Sequence, residues 1–189
     1  RAVWEITRAT ELDPKYAKAW ATLSRSWTTL AALGLSGAEA QQAYAEARKA
    51  GDVALALAPD LGDAYVARGW LLENAELDWR GATIAYRRGL ELSPDNLQTM
   101  FSMASMLALQ GQLGEAITLS RQALDNDPMS PNWWNWYSAY LSALGRLDDA
   151  EAAIRRSLAL RPQGNSAWAQ LAIIEIQRGD AYAALAAAH

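Results

Sequence analysis

Five prolines divide the sequence at nearly constant intervals, and this spacing limits the fold more than any other feature. Pro14, Pro59, Pro94, Pro128 and Pro162, called here the ruler prolines, are separated by 45, 35, 34 and 34 residues. Proline lacks a backbone N–H and disfavours helix in the residue before it, so it ends one helix and precedes the next. The intervals therefore predict a helical repeat.

Three further markers keep the same phase as the ruler prolines. Alanine stands twelve residues before each proline, a large apolar residue stands six after it, and glycine stands seventeen after the last three. The alanines let two helix backbones approach, the large residues fill the space beside them, and glycine suits the left-handed residue that closes a helix. In order they are Ala2, Ala47, Ala82, Ala116 and Ala150; Trp20, Tyr65, Met100, Trp134 and Trp168; and Gly111, Gly145 and Gly179. Together they predict antiparallel helix pairs stacked into an all-α solenoid.

This pattern resembles the tetratricopeptide repeat, whose helix-turn-helix unit carries aromatic, small, alanine and proline markers in the same order. The matching residues are Trp134, Tyr137, Ser138, Gly145, Ala150, Ile154 and Pro162 in one unit, and Trp168, Leu171, Ala172, Gly179 and Ala184 in the next. The resemblance implies a right-handed α-solenoid, the tetratricopeptide superhelix. It also implies protein binding as the general function.

The same markers divide the chain into units of one solenoid covering residues 1–189. We predict a partial unit at 1–14, a long unit at 15–59, regular units at 60–94, 95–128 and 129–162, and a truncated unit at 163–189. The sequence begins and stops inside helical patterns. We therefore expect it to be a fragment of a longer protein.

The long unit departs from the standard spacing by eleven residues, which fall around Gly34 to Gly37. We predict longer helices at about 15–33 and 37–57, with Ser36 and Glu39 as a capping box at the second one. Gly51 stands where a large apolar residue is expected. We therefore expect this second helix to pack less tightly.

A second departure is one extra residue between Asn74 and Trp79, with Asp78 as the expected N-cap of the next helix. The long first unit followed by Leu-Asp-Trp-Arg-Gly-Ala at 77–82 is similar to the C-terminal repeat regions of bacterial regulatory proteins. In those proteins, winged-helix DNA-binding or nucleotide-cyclase domains precede the repeats. The similarity implies a bacterial signal-transduction module whose DNA binding or catalysis lies in other domains.

The residues needed for catalysis or metal binding are scarce, so we predict no enzyme activity and no cofactor. The sole histidine is His189, there is no cysteine, and the glycines are scattered rather than clustered as in a phosphate loop. Asp148 and Asp149 open a helix, where carboxylates cap free N–H groups and meet the helix dipole. We interpret this acidic pair as structural.

Charge and hydropathy limit the kinds of partner. A net charge of -4 argues against direct binding of nucleic acid, which needs a basic face. Arg87-Arg88 and Arg155-Arg156 recur late in second helices, either as a nucleic-acid patch or, as we favour, as a solvated outer face. No apolar run approaches the roughly 20 residues of a membrane helix, so we expect no membrane insertion and a cytoplasmic location.

The abundant aromatic residues fall partly in the phase of the core. We assign Trp20, Tyr65, Tyr86, Trp134 and Trp168 to packing, and expect truncation of each to alanine to cost about 3–5 kcal/mol. Trp133, Trp134 and Trp136 form a cluster with Asn135. The sequence leaves open whether this cluster belongs to the core or to an interface.

The resemblance implies that the first helix of each unit lines a concave groove that accepts an extended peptide or a partner helix. The implied groove residues are Lys18, Thr22, Arg25, Asp63, Val66, Trp70, Glu73, Gln98, Phe101, Ser102, Ser105, Asn132, Asn135, Trp136, Ala139, Ser166, Gln170, Ile173 and Gln177. From these we select nine binding candidates: Lys18, Arg25, Trp70, Glu73, Phe101, Asn132, Asn135, Trp136 and Gln170.

The asparagine amides can donate to and accept from a partner backbone, and the aromatic rings can serve as anchors. The alternative is that Trp70, Phe101 and Trp136 pack against adjacent helices. A clamp for a terminal carboxylate is disfavoured, because Ala21, Val66 and Phe101 stand where polar clamp residues would be needed.

These observations favour a noncatalytic scaffold that binds a protein or peptide of unknown identity. The alternative is a self-association module of a multidomain regulator or enzyme, which would make the chain a homo-oligomer. The tryptophan cluster motivates that alternative, since solenoid ends that lack capping repeats expose apolar faces.

Overall fold

The computed structural model describes residues 2–180 and residue 186, and every regular element in this range is helical. The helices are α1 (Ala2–Leu12), α2 (Ala17–Gly34), α3 (Gly37–Leu57), α4 (Gly62–Leu71), α5 (Trp79–Leu92), α6 (Leu97–Leu109), α7 (Leu113–Asn126), α8 (Pro131–Ala143), α9 (Leu147–Leu160) and α10 (Asn165–Arg178). A π-helical turn, Leu72–Glu76, continues α4. The predicted positions Ala184 and His189 lie outside the described residues.

Each ruler proline lies in a short turn between two helices, and the residue six positions later is bound to that turn. The side-chain N–H or O–H donates to the proline carbonyl oxygen in four turns: Trp20 to Pro14 at 2.9 Å, Tyr65 to Pro59 at 3.0 Å, Trp134 to Pro128 at 2.9 Å and Trp168 to Pro162 at 2.8 Å. Met100, the marker that follows Pro94, has no such donor. The hydrogen bond fixes the proline-containing turn to the beginning of the following helix.

The marker alanines are buried where helices approach. Ala47, Ala82, Ala116 and Ala150 are each fully buried. In α8, the Ser138 hydroxyl donates to the carbonyl oxygen of Ala150 in α9 at 2.7 Å, which requires the two helices to lie close together. The predicted role of these alanines is confirmed.

Two compact units divide the chain, the first ending at Met103 and the second beginning at Ala104. The first unit contains α1 to α5 and the beginning of α6. Its core contains a cluster of small side chains against which Trp20, Leu55 and Leu61 pack: Ala21, Ala54, Ala64 and Ala67. Small residues at these positions let α2, α3 and α4 approach closely.

Glycines in the first unit also permit close approach. A Cβ added to Gly69 would lie 2.3 Å from Cε1 of Tyr86, a fully buried ring on α5. A Cβ added to Gly51 would lie 3.1 Å from Oγ of Ser24. Helix α3 is therefore closely packed on α2 at Gly51, and the expectation of looser packing there is wrong.

The second unit is built around a larger apolar cluster from α8, α9 and α10. Its buried members are Leu141, Ala150, Ala153, Ile154, Leu158, Ala167, Leu171 and Ile174. Ile117, Trp134, Tyr137, Leu147 and Ala172 pack against this cluster with part of their surface exposed. Apolar side chains that recur at helical spacing on both members of each pair produce this core.

Left-handed residues close the turns as predicted. Gly111, Gly145 and Gly179 have φ values of +77°, +79° and +85°. The long helices of the second predicted unit are also present, as α2 and α3. Ser36 takes the N-cap position of α3, but its side chain makes no capping hydrogen bond, so the predicted capping box is wrong.

The extra residue between Asn74 and Trp79 is accommodated by the π-helical turn, whose hydrogen bonds span one residue more than those of an α-helix. The turn ends at Leu77, whose φ of +53° is left-handed. For a non-glycine residue this conformation costs roughly 1–2 kcal/mol. Asp78 then caps α5 by accepting a hydrogen bond from the Gly81 N–H at 2.8 Å, as predicted.

Candidate peptide-binding faces

The helices that follow the ruler prolines, called here the post-proline helices, carry the predicted binding residues except Glu73, which lies in the π-helical turn that continues α4. The post-proline helices are α2, α4, α6, α8 and α10. The faces of the two compact units are described separately.

In the second unit, α8 presents two asparagines one turn apart. Asn132 is exposed, and its Oδ1 accepts a hydrogen bond from Arg161 at 3.2 Å. Asn135 donates through Nδ2 to Oγ of Ser166 on α10 at 3.4 Å. Its Oδ1 is buried and has no hydrogen-bond partner in the structure. Asn135 therefore has a free acceptor at a position where a carbonyl oxygen ordinarily requires a donor.

Trp136 lies beside Asn135 on the same helix and is 39% exposed. Its ring stacks on Tyr140, with centroids 6.2 Å apart and planes inclined by 28°. The Tyr140 hydroxyl lies 3.3 Å from Oγ of Ser105, and burial raises the pKa of this phenol. Tyr140 is thus a fixed, neutral support under a partly exposed indole.

The tryptophan cluster of α8 divides between core and surface. Trp133 is buried, Trp134 packs partly exposed against the apolar cluster of the second unit, and Trp136 reaches solvent. Adjacent residues on a helix point about 100° apart, so three tryptophans in four positions cannot share one environment. Only Trp136 has the exposure of a surface anchor.

The α10 part of this face is polar and partly engaged. Gln170 is half-buried, and Ser166 receives the hydrogen bond from Asn135. Near the end of the helix, Oε1 of Gln177 accepts from the hydroxyl of Ser142 at 2.6 Å. The side-chain amide of Gln170, in contrast, makes no hydrogen bond with the described residues.

In the first unit, the two predicted cations differ in their surroundings. Nζ of Lys18 lies 3.3 Å from a carboxylate oxygen of Asp63, so α2 and α4 are joined by an exposed ion pair. Arg25 is half-buried and forms no ion pair with a carboxylate of the described residues. Arg25 can therefore pair with an acidic group from outside the chain.

Trp70 and Glu73 are held by bonds within the first unit. The Trp70 indole donates to Oγ of Ser102 at 2.8 Å, and the Tyr86 hydroxyl donates to Glu73 at 2.6 Å. Burial and the neighbouring Glu73 carboxylate raise the pKa of Tyr86 far above its ordinary value. These polar atoms stabilise the fold, whatever else the two side chains bind.

Three other positions implied for the groove differ in accessibility. Val66 and Ser102 are buried, so the expectation that they line an accessible surface is wrong. Val66 lies against Gly89 of α5, and the hydroxyl oxygen of Ser102 accepts the hydrogen bond from the Trp70 indole. Phe101 is half-buried and retains part of its ring surface.

Among the aromatics assigned to the core, Tyr86 is fully buried, whereas Trp20, Tyr65 and Trp134 are partly buried. Trp168 is 40% exposed, so its assignment as core filler is wrong. Its indole N–H is satisfied by the Pro162 carbonyl, and that bond holds the ring at the surface.

The charged pairs of the sequence lie on the outside. Arg87, Arg88, Arg155 and Arg156 are all exposed, as expected for a solvated face. Asp148 and Asp149 make no capping hydrogen bond at the start of α9, which corrects that part of the prediction. They form ion pairs instead, Asp148 with Arg178 at 2.6 Å and Asp149 with Arg146 at 2.6 Å.

Arg178 is the centre of a charged network between α9 and α10. It binds Glu151 as well as Asp148, and Glu175 lies 3.6 Å away. Hydrogen bonds from Arg178 and from Arg155 lower the pKa of Glu151, and Glu151 raises the pKa of Arg178 in turn. The network joins the last two described helices.

No group of three or more His, Cys, Asp or Glu side chains among the described residues is placed to hold a metal ion. In residues 2–180, no helix has both the length and the apolar surface required to cross a bilayer. The sole histidine lies outside the described residues.

Comparison with known proteins identifies the fold. The family model of the tetratricopeptide repeat matches residues 107–173, the segment that contains most of α7 to α10. The chain has the tetratricopeptide repeat fold. The predicted all-α architecture of paired helices is therefore confirmed, and residues 107–173 carry the sequence pattern most clearly.

Solved tetratricopeptide structures support the same fold over most of the chain. PilW, a widely conserved type IV pilus biogenesis factor, superposes with a TM-score of 0.77 at 19% identity, covering 96% of this chain and 79% of PilW. YrrB, a tetratricopeptide repeat protein with an unusual peptide-binding site, gives 0.68 at 16% identity, covering 96% and 88%. MamA from Desulfovibrio magneticus gives 0.70 at 14% identity, covering 89% and 90%. No curated protein sequence matches the chain.

Two contributors to the faces of this tetratricopeptide fold were not singled out from the sequence. Tyr140, which supports Trp136, and Ser142, which binds Gln177, carry none of the repeat markers. A signal was present, because Tyr140 lies four residues after Trp136 and i, i+4 side chains meet on a helix. The bond of Ser142 depends on the placement of α10 and has no local signal.

Proposed function

We propose that this chain is a noncatalytic scaffold that binds a protein or an extended peptide on the faces of its post-proline helices. The observation that carries the proposal is the free, buried Oδ1 of Asn135 beside the partly exposed ring of Trp136. A donor from a bound peptide backbone would satisfy Oδ1, and an apolar side chain of the same peptide would cover the indole.

Binding of a ligand at Asn135 and Trp136 would be energetically favourable. A buried acceptor without a partner costs about 1–3 kcal/mol, which a bound N–H donor would recover. The indole offers a large apolar area at low cost in side-chain entropy, which is why tryptophan is common among binding hot spots. Stacking on Tyr140 fixes the ring before any ligand arrives.

The comparisons support the proposal at the level of function class. YrrB is described as having a peptide-binding site and PilW as a pilus biogenesis factor, and both share this fold. We further propose that the chain acts as a regulatory module of a larger bacterial protein. The proposed regulatory role rests on the lengthened repeat at 15–59 and on the motif at 77–82.

A displayed library of unstructured peptides tests the scaffold function. Peptides selected on the wild-type chain are measured against the double variant Asn135→Ala, Trp136→Ala. We expect affinity to fall at least about thirtyfold, corresponding to a hot spot of 2 kcal/mol. Arg156→Ala, an exposed change on the outside of α9, is the matched control and should bind normally. Selected peptides that bind the double variant as tightly as wild type would place the ligand elsewhere.

Self-association is the second candidate, favoured by apolar side chains on α10. Trp168, Ile173 and Ile176 are all exposed on this helix. Exposed apolar clusters mark contact surfaces. Sedimentation of the chain over a range of concentrations tests this function: an increase in mass that Ile173→Ser with Ile176→Ser abolishes is expected, and a constant monomer mass excludes it.

A further inference from the structure

Leu77 occupies a position that the chain elsewhere gives to glycine. Gly111, Gly145 and Gly179 follow their ruler prolines by seventeen residues, and all three have left-handed backbones. Leu77 follows Pro59 by eighteen, and the additional residue is the one taken up by the π-helical turn. It is therefore the equivalent residue, and it is also left-handed, with φ of +53°.

The fold alone gives no reason for leucine at this position. Glycine adopts the left-handed region without the steric conflict that a Cβ causes. The leucine side chain does not offset that conflict by packing, because it is 71% exposed. A strained backbone that presents an apolar side chain to solvent is characteristic of functional sites, as are single π-helical turns.

The residues after Leu77 extend the exposed apolar surface. Trp79 is 52% exposed and Ile84 is 64% exposed. On α5, Arg80, Ile84 and Arg87 follow one another at i, i+4 and i+7, so their side chains share the outer face of the helix. Leu77, Trp79, Arg80, Ile84 and Arg87 are called here the α5 patch.

The backbone under the α5 patch is fixed by hydrogen bonds. The N–H groups of Leu77 and Asp78 both donate to the Leu72 carbonyl oxygen, the second at 3.0 Å. The Asp78 carboxylate caps α5 at Gly81, where an added Cβ would lie 2.3 Å from Oδ2 of Asp78. The patch is therefore preorganised, which lowers the entropy lost on binding.

The charges of the α5 patch are not neutralised by any described carboxylate. Arg80 and Arg87 form no ion pair with any carboxylate of the described residues. The nearby acids are occupied, since Glu76 binds Arg48 at 2.7 Å and Glu91 binds Arg88 at 2.8 Å. The segment thus carries three exposed apolar side chains and two guanidinium groups that form no ion pair with a described carboxylate, and the complementary surface is apolar with flanking carboxylates.

We propose that the α5 patch docks an acidic amphipathic helix of a partner protein. A helix suits this surface because the α5 backbone is fully hydrogen-bonded and offers no edge to an extended strand, leaving side-chain contacts as the means of recognition. An acidic helix places leucine-like residues against Leu77, Trp79 and Ile84 and carboxylates against Arg80 and Arg87. This site is separate from the post-proline helices and does not depend on peptide binding there.

A displayed library of amphipathic helical peptides with acidic, neutral or basic flanks tests the proposal on the full chain. We expect the acidic members to be enriched, and Leu77→Gly to weaken their binding at least tenfold. The Leu77→Gly variant relieves the left-handed strain, so it should unfold no more readily than wild type. Loss of binding is thereby separated from loss of folding. Arg80→Glu should shift the preference to basic helices, and Leu33→Ser, a change at another exposed leucine, should leave binding unaltered.

Several outcomes would overturn the proposal. The first is a selection that enriches no helical peptide, or enriches them without a preference for acidic flanks. The second is a Leu77→Gly variant that binds acidic helices as tightly as wild type. The third is a Leu77→Gly variant that unfolds more readily than wild type, which would make the role of Leu77 structural. Binding to vesicles of phosphatidylserine that Leu77→Gly abolishes would assign the patch to a membrane surface. A dimer lost in the same variant would assign it to a second copy. The variant Asn135→Ala, Trp136→Ala should bind the acidic helices normally, which distinguishes this site from the proposed peptide-binding face.

Discussion

At the scale of single residues, the indole of Trp134 stabilises the fold in two separable ways. Its ring packs against the apolar cluster of the second unit, and its N–H donates to the Pro128 carbonyl. Trp168 makes the equivalent hydrogen bond with Pro162 but leaves 40% of its surface exposed. The two residues therefore share the bond and differ in burial.

This difference predicts unequal costs of truncation. Trp134→Ala should lower the free energy of unfolding by about 3 kcal/mol, whereas Trp168→Ala should cost clearly less because less apolar surface returns to water. Trp134→Phe keeps most of the packing and should cost about 1 kcal/mol for the lost hydrogen bond. Urea unfolding followed by circular dichroism measures all three. Equal costs for the two alanine variants would contradict the assignment of Trp134 to the core.

The sequence predicted where these aromatics lie but only part of what they do. The spacing of six residues from each proline placed them correctly, because the helical period is a local property. The hydrogen bond to the proline carbonyl could not be predicted, since it depends on the path of the turn. The burial of Trp168 was overestimated because its environment is formed by tertiary packing, which the repeat phase does not determine.

At the scale of elements, the π-helical turn is bound to α5 through Tyr86 and Glu73. The hydroxyl of the fully buried Tyr86 donates to the Glu73 carboxylate within the turn, at 2.6 Å. Gly69 makes room for the ring, since any side chain there would overlap it. This bond fixes the turn that presents Leu77.

Removing the Tyr86 hydroxyl tests the role of this bond. Tyr86→Phe should reduce the free energy of unfolding by about 1.5–3 kcal/mol, since a carboxylate loses its donor. Tyr65→Phe is the matched control: its hydroxyl donates to a neutral carbonyl at an exposed site, and its loss should cost about 0.5–1.5 kcal/mol. Chemical denaturation of both variants gives the comparison. A smaller effect at Tyr86 than at Tyr65 would show that Glu73 finds another donor.

The spacing detected the extra residue in this unit but not the form it takes. One additional residue can lengthen the loop between two helices or form a π-helical turn within a helix. The local sequence does not distinguish these two outcomes. The structure widens the helix because Glu73 and Trp70 both find partners in neighbouring helices, Tyr86 and Ser102. Asp78 as N-cap was predictable because capping depends on nearby residues alone.

At the scale of the whole molecule, the Arg178 network makes stability depend on pH. Arg178 on α10 binds Glu151 and Asp148 on α9, and its hydrogen bond lowers the pKa of Glu151 below the ordinary 4.5. A carboxyl group whose pKa is lowered by folding stabilises the folded state above its unfolded pKa. That contribution is lost as pH falls through the folded pKa.

Comparison of wild type with Arg178→Gln at two pH values tests this link. At neutral pH the variant should unfold at lower urea concentration than wild type. At a pH well below 4.5 the difference should shrink, because protonated Glu151 no longer favours the guanidinium. A difference that stays constant with pH would mean that Arg178 acts through packing rather than through charge.

The architecture was predictable from the sequence because a repeat states the same local pattern several times. The boundaries of the sequence repeats stay a prediction. The structure defines helices by their hydrogen bonds, whereas the repeats are defined by the spacing of the marker residues. The distance of the candidate binding residues from the prolines predicts the helices on which they lie, and their role in binding stays a prediction. The unpaired Oδ1 of Asn135 could not be predicted from the sequence. The hydrogen bonds of a side-chain amide depend on which residues of the neighbouring helix face it.

The bonds between indoles and proline carbonyls also give the molecule its own reporters of local motion. Trp20 lies in the first unit, and Trp134 and Trp168 lie in two turns of the second. A hydrogen-bonded indole proton exchanges with deuterium only when its hydrogen bond to the turn breaks. Each resonance in a nitrogen–proton spectrum therefore measures the breaking of the bond at one turn. A ligand that tightens one unit would slow exchange there and leave the other unit as an internal reference.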